Sequence, residues 1–364
     1  MSTVKVAGIG WAQPGDERLS HAELLYRSTR KALEDAGLKR DAITSAVTTS
    51  FDYIEGRNLS NQFTLDSIGG VMKSCDLRLS DDGIHSIAAG TMEALSEPGG
   101  VVVVGAVQMA STELIDSTNR VVEETFFEPL YLRPVLEGHA HPEALAFGLA
   151  ARAYLARHGL DEKRLAELVA ARSAGGEEAR TVEEILDSPV IAGPLHDGHR
   201  ARRVDAAATL ILTTDAPNGA RASIRGIGWC AEDGQLANRD LSEQRPTALA
   251  AERAYADAGV TDPAAELARV EAYNAYGIDE AMTVEALGLA AAGKGLDALL
   301  DGDAKVNPTG GVQGSGWARG AASLVQAVKA MEEMSGQSGA LLASQGWSGP
   351  GASSSAVAVF EIGA

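Results

Sequence analysis

Residues 6–12 read VAGIGWA, and residues 224–230 read IRGIGWC. Both copies lead into the same succession of features: a helical stretch closing on Asp35-Ala36-Gly37 in one and on Asp257-Ala258-Gly259 in the other, each ahead of an apolar run, AITSAVTTSF and ARVEAYNAY respectively. The spacing between copies is 218 residues at the glycine motif and 222 at the helix ends. A weaker third pair, 237 residues apart, sets Gly83-Ile84 with its helix and the VVVVG strand beside Gly320-Ala321 with its helix and the GALLAS strand. Three ordered matches at nearly one spacing make this a duplicated strand–helix–strand chain, an α/β protein of two similar halves.

The apolar positions Leu24, Leu25, Ser28, Ala32, Leu33 and Ala36 recur at helical spacing, whereas VVVVGAV at 101–107 does not alternate and therefore predicts a central strand buried on both faces. Residues 112–200 have no counterpart in the second half and read as an insertion. It carries two helical patterns, ALAFGLAARAYLARHGL and DEKRLAELVAARSAG, and a Pro-Leu-His-Asp-Gly-His loop, which suit either gating loops or a plain lid of packed helices. The expected division is 1–111 with 201–218 as the N-terminal half, 112–200 as the insertion and 219–364 as the C-terminal half.

The composition narrows the function. A chain of 364 residues with 45% hydrophobic content can bury a large core, and a net charge of -19 argues against binding a polyanion such as nucleic acid. Two cysteines, Cys75 and Cys230, supply neither a disulfide framework nor a cysteine-rich zinc site, which fits a reducing cytoplasm. No apolar run approaches the roughly 20 residues that span a bilayer, and the expectation is a soluble protein without a signal segment. His139-x-His141 and His196-x-x-His199 have short metal-like spacing without an evident third ligand, so no metal is expected.

Two Gly-rich segments are candidates for cradling an anion or a developing oxyanion: NPTGGVQGSGWARG at 307–320, with Gly310 and Gly311, and SQGWSGPGASSS at 344–355, with Gly349. Close packing between the halves, or a surface loop, would equally account for them. The first is not a G-x-G-x-x-G dinucleotide fingerprint. Arg200, Arg202 and Arg203 form the densest basic patch of an acidic chain, suited to a phosphate or to balancing nearby carboxylates.

The order VEAYNAY, NPTGG with GSGWARGAA, then SQGWSGPG resembles the C-terminal half of the thiolase superfamily, especially its sterol-carrier-protein-type branch. GIGWA with a helix ending DAGL, SDDGIHSIAAGTMEA leading into VVVVGAVQMAS, and TVEEILDSPVIAGPL before VDAAATLIL resemble its N-terminal half and linker. The resemblance covers nearly the whole chain. It implies a five-layered α/β/α/β/α core, a dimer, acyl-CoA thioester substrates with no bound cofactor beyond the coenzyme A of the substrate, and, in this branch, a small zinc-ribbon/OB-fold (DUF35-like) partner.

The same resemblance marks the catalytic positions as substituted. A thiolase needs an acyl-accepting cysteine, a histidine that activates it and a second cysteine or histidine that moves a proton. Where the family writes Cys-x-Ser-Gly, this chain has Ser80-Asp81-Asp82-Gly83; for Gly-His-Pro it has Gly316-Trp317-Ala318; for Cys-x-Gly it has Ser344-Gln345-Gly346; and for the Asn-Glu-Ala-Phe or His-Asp-Cys-Phe segment it has Tyr273-Asn274-Ala275-Tyr276. Ser80 is the heir of the nucleophile and, with Asp81 and Asp82, equally a helix cap. Trp317 can donate or pack, and Ser344 is a weak acid–base group. Tyr273 and Tyr276 are the phenols with which an aldolase-type member of this branch would polarise a carbonyl or move a proton. Cys75, five residues before Ser80, is a displaced nucleophile or an inert thiol; Cys230 is expected in the core, and His85 in packing or a dimer contact. Three functions remain open: a C–C bond-forming or -cleaving enzyme without an acyl-cysteine, a noncatalytic scaffold subunit of a heteromeric acyltransferase complex, and an acyltransferase using Cys75.

Overall fold

The computed structural model describes residues 3–15, 17–51, 60–112, 142–302 and 305–363. The duplicated motif lies at its centre. Val6–Ala12 falls in strand β1 (Lys5–Ala12), and its repeat falls in β8 (Ala222–Ala231). Each strand carries one helix on its outer face: α1 (His21–Ala36) on β1, and the helix Arg245–Ala258 on β8. The glycines explain the repetition. A β-carbon on Gly8 or Gly10 would lie 2.2 or 2.3 Å from the carbonyl oxygens of Ala32 and Ser28, and on Gly226 or Gly228 it would lie 2.0 Å from those of Ala254 and Ala250. Helix backbone rests directly on strand backbone in both halves, which only glycine permits. The tryptophan that ends the motif has a matching partner each time: Lys31 Nζ donates to the Trp11 carbonyl at 2.9 Å, and the Arg253 guanidinium donates to that of Trp229. Both helices end on a left-handed glycine, Gly37 at φ 67° and Gly259 at φ 73°.

The strands are β1, β2 (Ser45–Thr49), β3 (Cys75–Leu79), β4 (Val102–Met109), β5 (Val190–Ala192), β6 (Leu195–His196), β7 (Asp205–Thr213), β8, β9 (Leu267–Glu271), β10 (Leu341–Ser348) and β11 (Ser354–Ile362). β5 and β6 form a small hairpin, and the others form one sheet in the order β3-β2-β4-β7-β1-β8-β11-β10-β9. β1 meets β8 only through Lys5 opposite Ser223 and Val6 opposite Ala222. Outward from that seam the two sides are mirror copies in order and polarity: an antiparallel pair, a second antiparallel pair, then a parallel neighbour, β1-β7-β4-β2 on one side and β8-β11-β10-β9 on the other. β3 completes the first side in parallel, and Val306 makes a single parallel bridge to Val270 at the matching edge of the second.

Among the described residues, the helices of eight residues or more are α1, α2 (Ser60–Ile68), α3 (Gly83–Ser96), α4 (Pro142–His158), α5 (Glu162–Ser173), α6 (Arg245–Ala258), α7 (Ile278–Ala286) and α8 (Ala322–Glu333). α3 and α8 lie side by side between the two halves of the sheet. Ile84, Ile87, Leu324 and Val328 join one core with Val104 and Leu210 of the first half and Ala358 and Phe360 of the second. α1 covers the far face of the first half, packing Leu24, Leu25 and Leu33 on Ala7, Val103 and Ile211. On the far face of the second half, α4 to α7 share a core with Val270, Val357 and Val359. This is the five-layered α/β/α/β/α arrangement. Every residue of β4 is buried, as its unbroken valine run predicts.

α4 and α5, the two helical patterns of the inserted region, pack Tyr154, Leu155, Leu165 and Leu168 into the same core as Tyr276 and Met282, so they behave as an extra wall of the second half. His139 and His141 lie outside the described residues. Among the described residues no helix is long and apolar enough to cross a membrane, and no group of three or more His, Cys, Asp or Glu is placed to hold a metal ion.

Because the β-carbon of Gly228→Ala would overlap the Ala250 carbonyl oxygen, we expect this variant to lose at least about 3 kcal/mol of stability by urea unfolding, at the upper end of overpacking costs. Gly234→Ala, where nothing lies within 4 Å, should change stability by less than about 0.5 kcal/mol.

Candidate active site

The site forms where the central helix pair begins and the second half of the sheet ends. α3 starts at Gly83, whose β-carbon would meet the Leu324 β-carbon at 2.6 Å, so α3 and α8 touch at that glycine. Of the three predicted caps, Asp82 is the one used: its Oδ1 accepts from the Ile84 amide at 3.2 Å. Asp81 instead accepts from the Asp82 amide at 2.8 Å and lies 3.2 Å from His85 Nδ1. His85 Nε2 is 3.1 Å from Ser354 Oγ of β11, a packing role, and burial lowers its pKa while Asp81 opposes that. Ser80, the heir of the nucleophile, is exposed at the end of β3.

The thiols lie elsewhere. Cys75 begins edge strand β3, roughly 16 Å from Ser80 at about 3.3 Å per strand residue. Burial, then Glu93 and Asp76, raise its pKa, the opposite of an activated thiolate. Cys230 is half-buried rather than in the core, because β8 turns that end outward and leaves the neighbouring Trp229 46% exposed.

Tyr273 follows β9 and is 4% exposed. Its hydroxyl accepts from Trp317 Nε1 at 2.6 Å and donates to the Arg319 carbonyl at 2.8 Å. The two substituted positions, Tyr273 and Trp317, are thus joined by one hydrogen bond. The rings of Tyr273 and Trp347 meet edge to face at 4.7 Å, those of Tyr276 and Trp317 at 5.6 Å, and Phe147 of α4 stacks on Tyr276 at 4.8 Å. Tyr276 belongs to this aromatic wall, as does the inserted helix that carries Phe147. Arg203 lies 4.6 Å and Arg319 5.4 Å from the centre of the Trp317 ring. Burial, and then the nearby Asp82 carboxyl, push the Tyr273 phenol well above the ordinary tyrosine range, so at neutral pH it is a proton donor and not a base.

Asp82, which the sequence marks only as a helix cap, is fully buried. Its Oδ1 accepts from Ser323 Oγ of α8 as well as from Ile84, while Oδ2 has no hydrogen-bond partner among the described residues. A β-carbon on Gly346 of β10 would lie 1.8 Å from Oδ1, so the Ser344-Gln345-Gly346 segment needs its glycine to admit this carboxyl. Burial pushes the Asp82 pKa up to about 8, with Asp81 adding to the shift and the hydrogen bonds from Ser323 and the helix amides opposing it. Ser344 is also fully buried, with its Oγ unpartnered. The signal in the sequence is the second acidic residue of Ser-Asp-Asp-Gly, where the family writes Ser.

The Gly-rich segments serve packing in this structure. A β-carbon on Gly310 would lie 2.1 Å from the Arg172 carbonyl oxygen, and one on Gly311 would lie 2.5 Å from Asn274 Oδ1. Asn274 in turn accepts from the Val312 amide at 2.8 Å and donates to the buried Glu280, which Arg172 approaches at 2.8 Å. Gly349, at φ 72°, turns the chain between β10 and β11 over Ser353. Arg200 pairs with Asp197 at 2.7 Å and Arg202 with Glu177 at 2.5 Å, leaving Arg203 as the member of the cluster that reaches the aromatic wall. Arg202 and Arg203, with Arg18, line a groove of about 690 Å³ between the ends of β1, β4 and β7. His196 and His199 serve local structure: the His196 amide donates to His199 Nδ1 at 3.0 Å, His196 Nδ1 lies 2.7 Å from the Ser188 carbonyl, and the His199 carbonyl accepts from Gln313 Nε2 at 2.8 Å. Burial lowers the His199 pKa to about 4.

Trp317→Phe removes the donor to the Tyr273 oxygen while keeping a ring. We expect a loss of roughly 1–3 kcal/mol by urea unfolding, and a larger loss, about 3–5 kcal/mol, for Trp317→Ala.

Comparison with known proteins agrees with this fold. Residues 230–360 match the family described as thiolase C-terminal domain-like. An acetyl-CoA acetyltransferase of Methanothermobacter thermautotrophicus is 31% identical over 173 residues, and the benzoylsuccinyl-CoA thiolase subunit BbsB of Thauera aromatica is 28% identical over 168. These stretches span 44% and 43% of this chain and the same shares of those relatives, less than half the length of either. Among solved structures, one titled Ltp2-ChsH2(DUF35) aldolase superposes with a TM-score of 0.79 at 17% identity, covering 99% of this chain and 98% of that one. A monomeric SCP2-thiolase-like protein type 1 from Mycobacterium smegmatis gives 0.75 at 20%, covering 99% and 77%. Residues 230–360 thus carry a thiolase C-terminal domain-like region, within a chain that has the fold of the SCP2-thiolase-like proteins.

Proposed function

We propose that this protein acts on acyl-CoA thioesters as a C–C bond enzyme of aldolase type, without an acyl-cysteine, and that Tyr273 is its proton donor. The observation that carries the reading is the buried phenol of Tyr273 held between Trp317 and Arg319, at the site where no thiol lies near the start of α3. In retro-aldol cleavage of a 3-hydroxyacyl thioester, the Cα–Cβ electron pair moves into the thioester enolate as a carbonyl compound leaves. The phenol gives its proton to the enolate carbon, and the proton released by the hydroxyl replaces it. The groove beside Arg18, Arg202 and Arg203 is of a size to take part of a coenzyme A moiety, and its basic residues suit the phosphates. The solved structure titled as an Ltp2-ChsH2(DUF35) aldolase supports the reaction class through a shared fold.

The second reading is a noncatalytic subunit, and one observation favours it: the Tyr273 hydroxyl already uses its donor and one acceptor within the protein, under an aromatic wall. For either reading we propose a cytoplasmic dimer that associates with a small zinc-ribbon/OB-fold partner. The support is that the aldolase neighbour's title names a DUF35 chain and one relative is named as a subunit.

The test is turnover of 3-hydroxyacyl-CoA and 3-oxoacyl-CoA thioesters, monitored by mass spectrometry, with and without that partner. Tyr273→Phe should lower turnover at least about 100-fold, the usual scale of a lost general acid. Turnover within threefold of the parent would overturn the assignment. Intact-mass analysis after incubation with acetyl-CoA should show no acyl adduct; an adduct on Ser80 or Cys75 would restore covalent acyl transfer.

A further inference from the structure

Asp82 is a fully buried carboxyl that the proposed retro-aldol reaction does not use, and its capping role accounts for only one of its oxygens. Oδ1 is committed to the Ile84 amide and to Ser323. An asparagine or serine would cap α3 as well. The second oxygen is the unexplained part: it is enclosed, lacks a hydrogen-bond partner and has no cation paired with it among the described residues. The surroundings keep the group in place, because Gly346 leaves room for a carboxyl and no more, and Ser323 ties it to the neighbouring central helix.

The titratable groups around it are few. Its own turn and helix present Asp81 and His85, β10 presents the neutral Ser344, Gln345 and Gly346, and the segment after β9 presents Tyr273, whose amide donates to Gln345 Oε1 at 3.1 Å and whose hydroxyl donates to the Arg319 carbonyl, next to Gly320, where a β-carbon would lie 3.1 Å from the Asp81 carbonyl oxygen; Arg203 and Arg319 also act on Tyr273. Resting on the aldolase-type reading of this site, we propose that Asp82 is its positioning residue: the enclosed carboxyl, lodged against Gly346 and tied to Ser323 beside the segment that carries Tyr273, sets how readily that phenol gives up its proton. A neutral carboxyl leaves the phenol's proton affinity to its hydrogen bonds with Trp317 and Arg319. An ionised carboxyl in the same dry place would hold the phenolic proton more tightly and weaken it as an acid. Asp82 acts through Tyr273 and need not touch substrate.

Burial sets the sign of the pH dependence. Asp82 titrates near 8 in the folded protein and in the ordinary carboxylate range when unfolded, so the folded state keeps a proton that the unfolded state gives up. Its contribution to stability therefore falls as pH rises from the ordinary carboxylate range to about 8. Asp82→Asn keeps the cap and the neutral shape but cannot ionise.

The experiment compares the full-length parent, Asp82→Asn and Tyr273→Phe. Tyrosines carrying carbon-13 at Cζ are titrated by NMR, Tyr273→Phe assigning the resonance, and urea stability is measured from pH 5 to 9. We expect the Tyr273 resonance to titrate at lower pH in Asp82→Asn than in the parent, and the stability of Asp82→Asn relative to the parent to climb up to about pH 8. An unmoved Tyr273 titration or a flat stability difference overturns the proposal. Neither readout needs turnover, so failure to find a substrate sinks the functional reading alone. With a substrate in hand, the ratio of turnover at pH 9 to that at pH 7 should be about tenfold higher in Asp82→Asn than in the parent; an identical ratio would overturn the link from Asp82 to Tyr273.

Discussion

The approach of the two central helices at Gly83 is the contact on which the rest of the structure depends. α3 belongs to the first half of the duplication and α8 to the second, and each is covered on both sides by sheet. A side chain at Gly83 would force them apart, and the Ser323–Asp82 hydrogen bond links them one residue earlier. The start of α3 therefore lies in the deepest layer of the molecule, beneath a strand of the opposite half. Burial there perturbs both Asp82 and Tyr273, so the electrostatics of the site arise from the layered packing more than from any single motif.

A second consequence of this architecture is the aromatic wall. Phe147 comes from the inserted helix α4, Tyr273 and Tyr276 from the segment after β9, Trp317 from the loop before α8, and Trp347 from β10. Each ring fills space between elements that are distant in sequence, and the hydrogen bond from Trp317 to Tyr273 fixes the phenol at the edge of that packing. The indole of Trp317 and the phenol of Tyr273 stand at two of the substituted motif positions, and their hydrogen bond makes the phenol a tightly held proton donor rather than a base.

The duplication and the buried central strand were legible in the chain because they rest on local rules, and the five layers were legible only through the family resemblance. Gly8, Gly10, Gly226 and Gly228 repeat since helix backbone must sit on strand backbone twice, and Gly37 and Gly259 repeat since both helices end in the left-handed region. The unbroken valines of β4 encode burial on both faces. The substituted motif positions were legible too, so Tyr273 and Trp317 stood out before their contact was known.

What the sequence alone determined was the fold, its internal symmetry and the replacement of the thiol-bearing positions. The tertiary structure decided what those positions do. Gly310 and Gly311, which read either as an anion cradle or as close packing, lie against the Arg172 carbonyl and Asn274. Asp82, which reads as one of three candidate helix caps, sits against Gly346 from a strand more than 260 residues later. The physical reason is that periodicity and turn chemistry act over a few residues, whereas desolvation and the choice of hydrogen-bond partner are set by whichever distant segments close around a side chain.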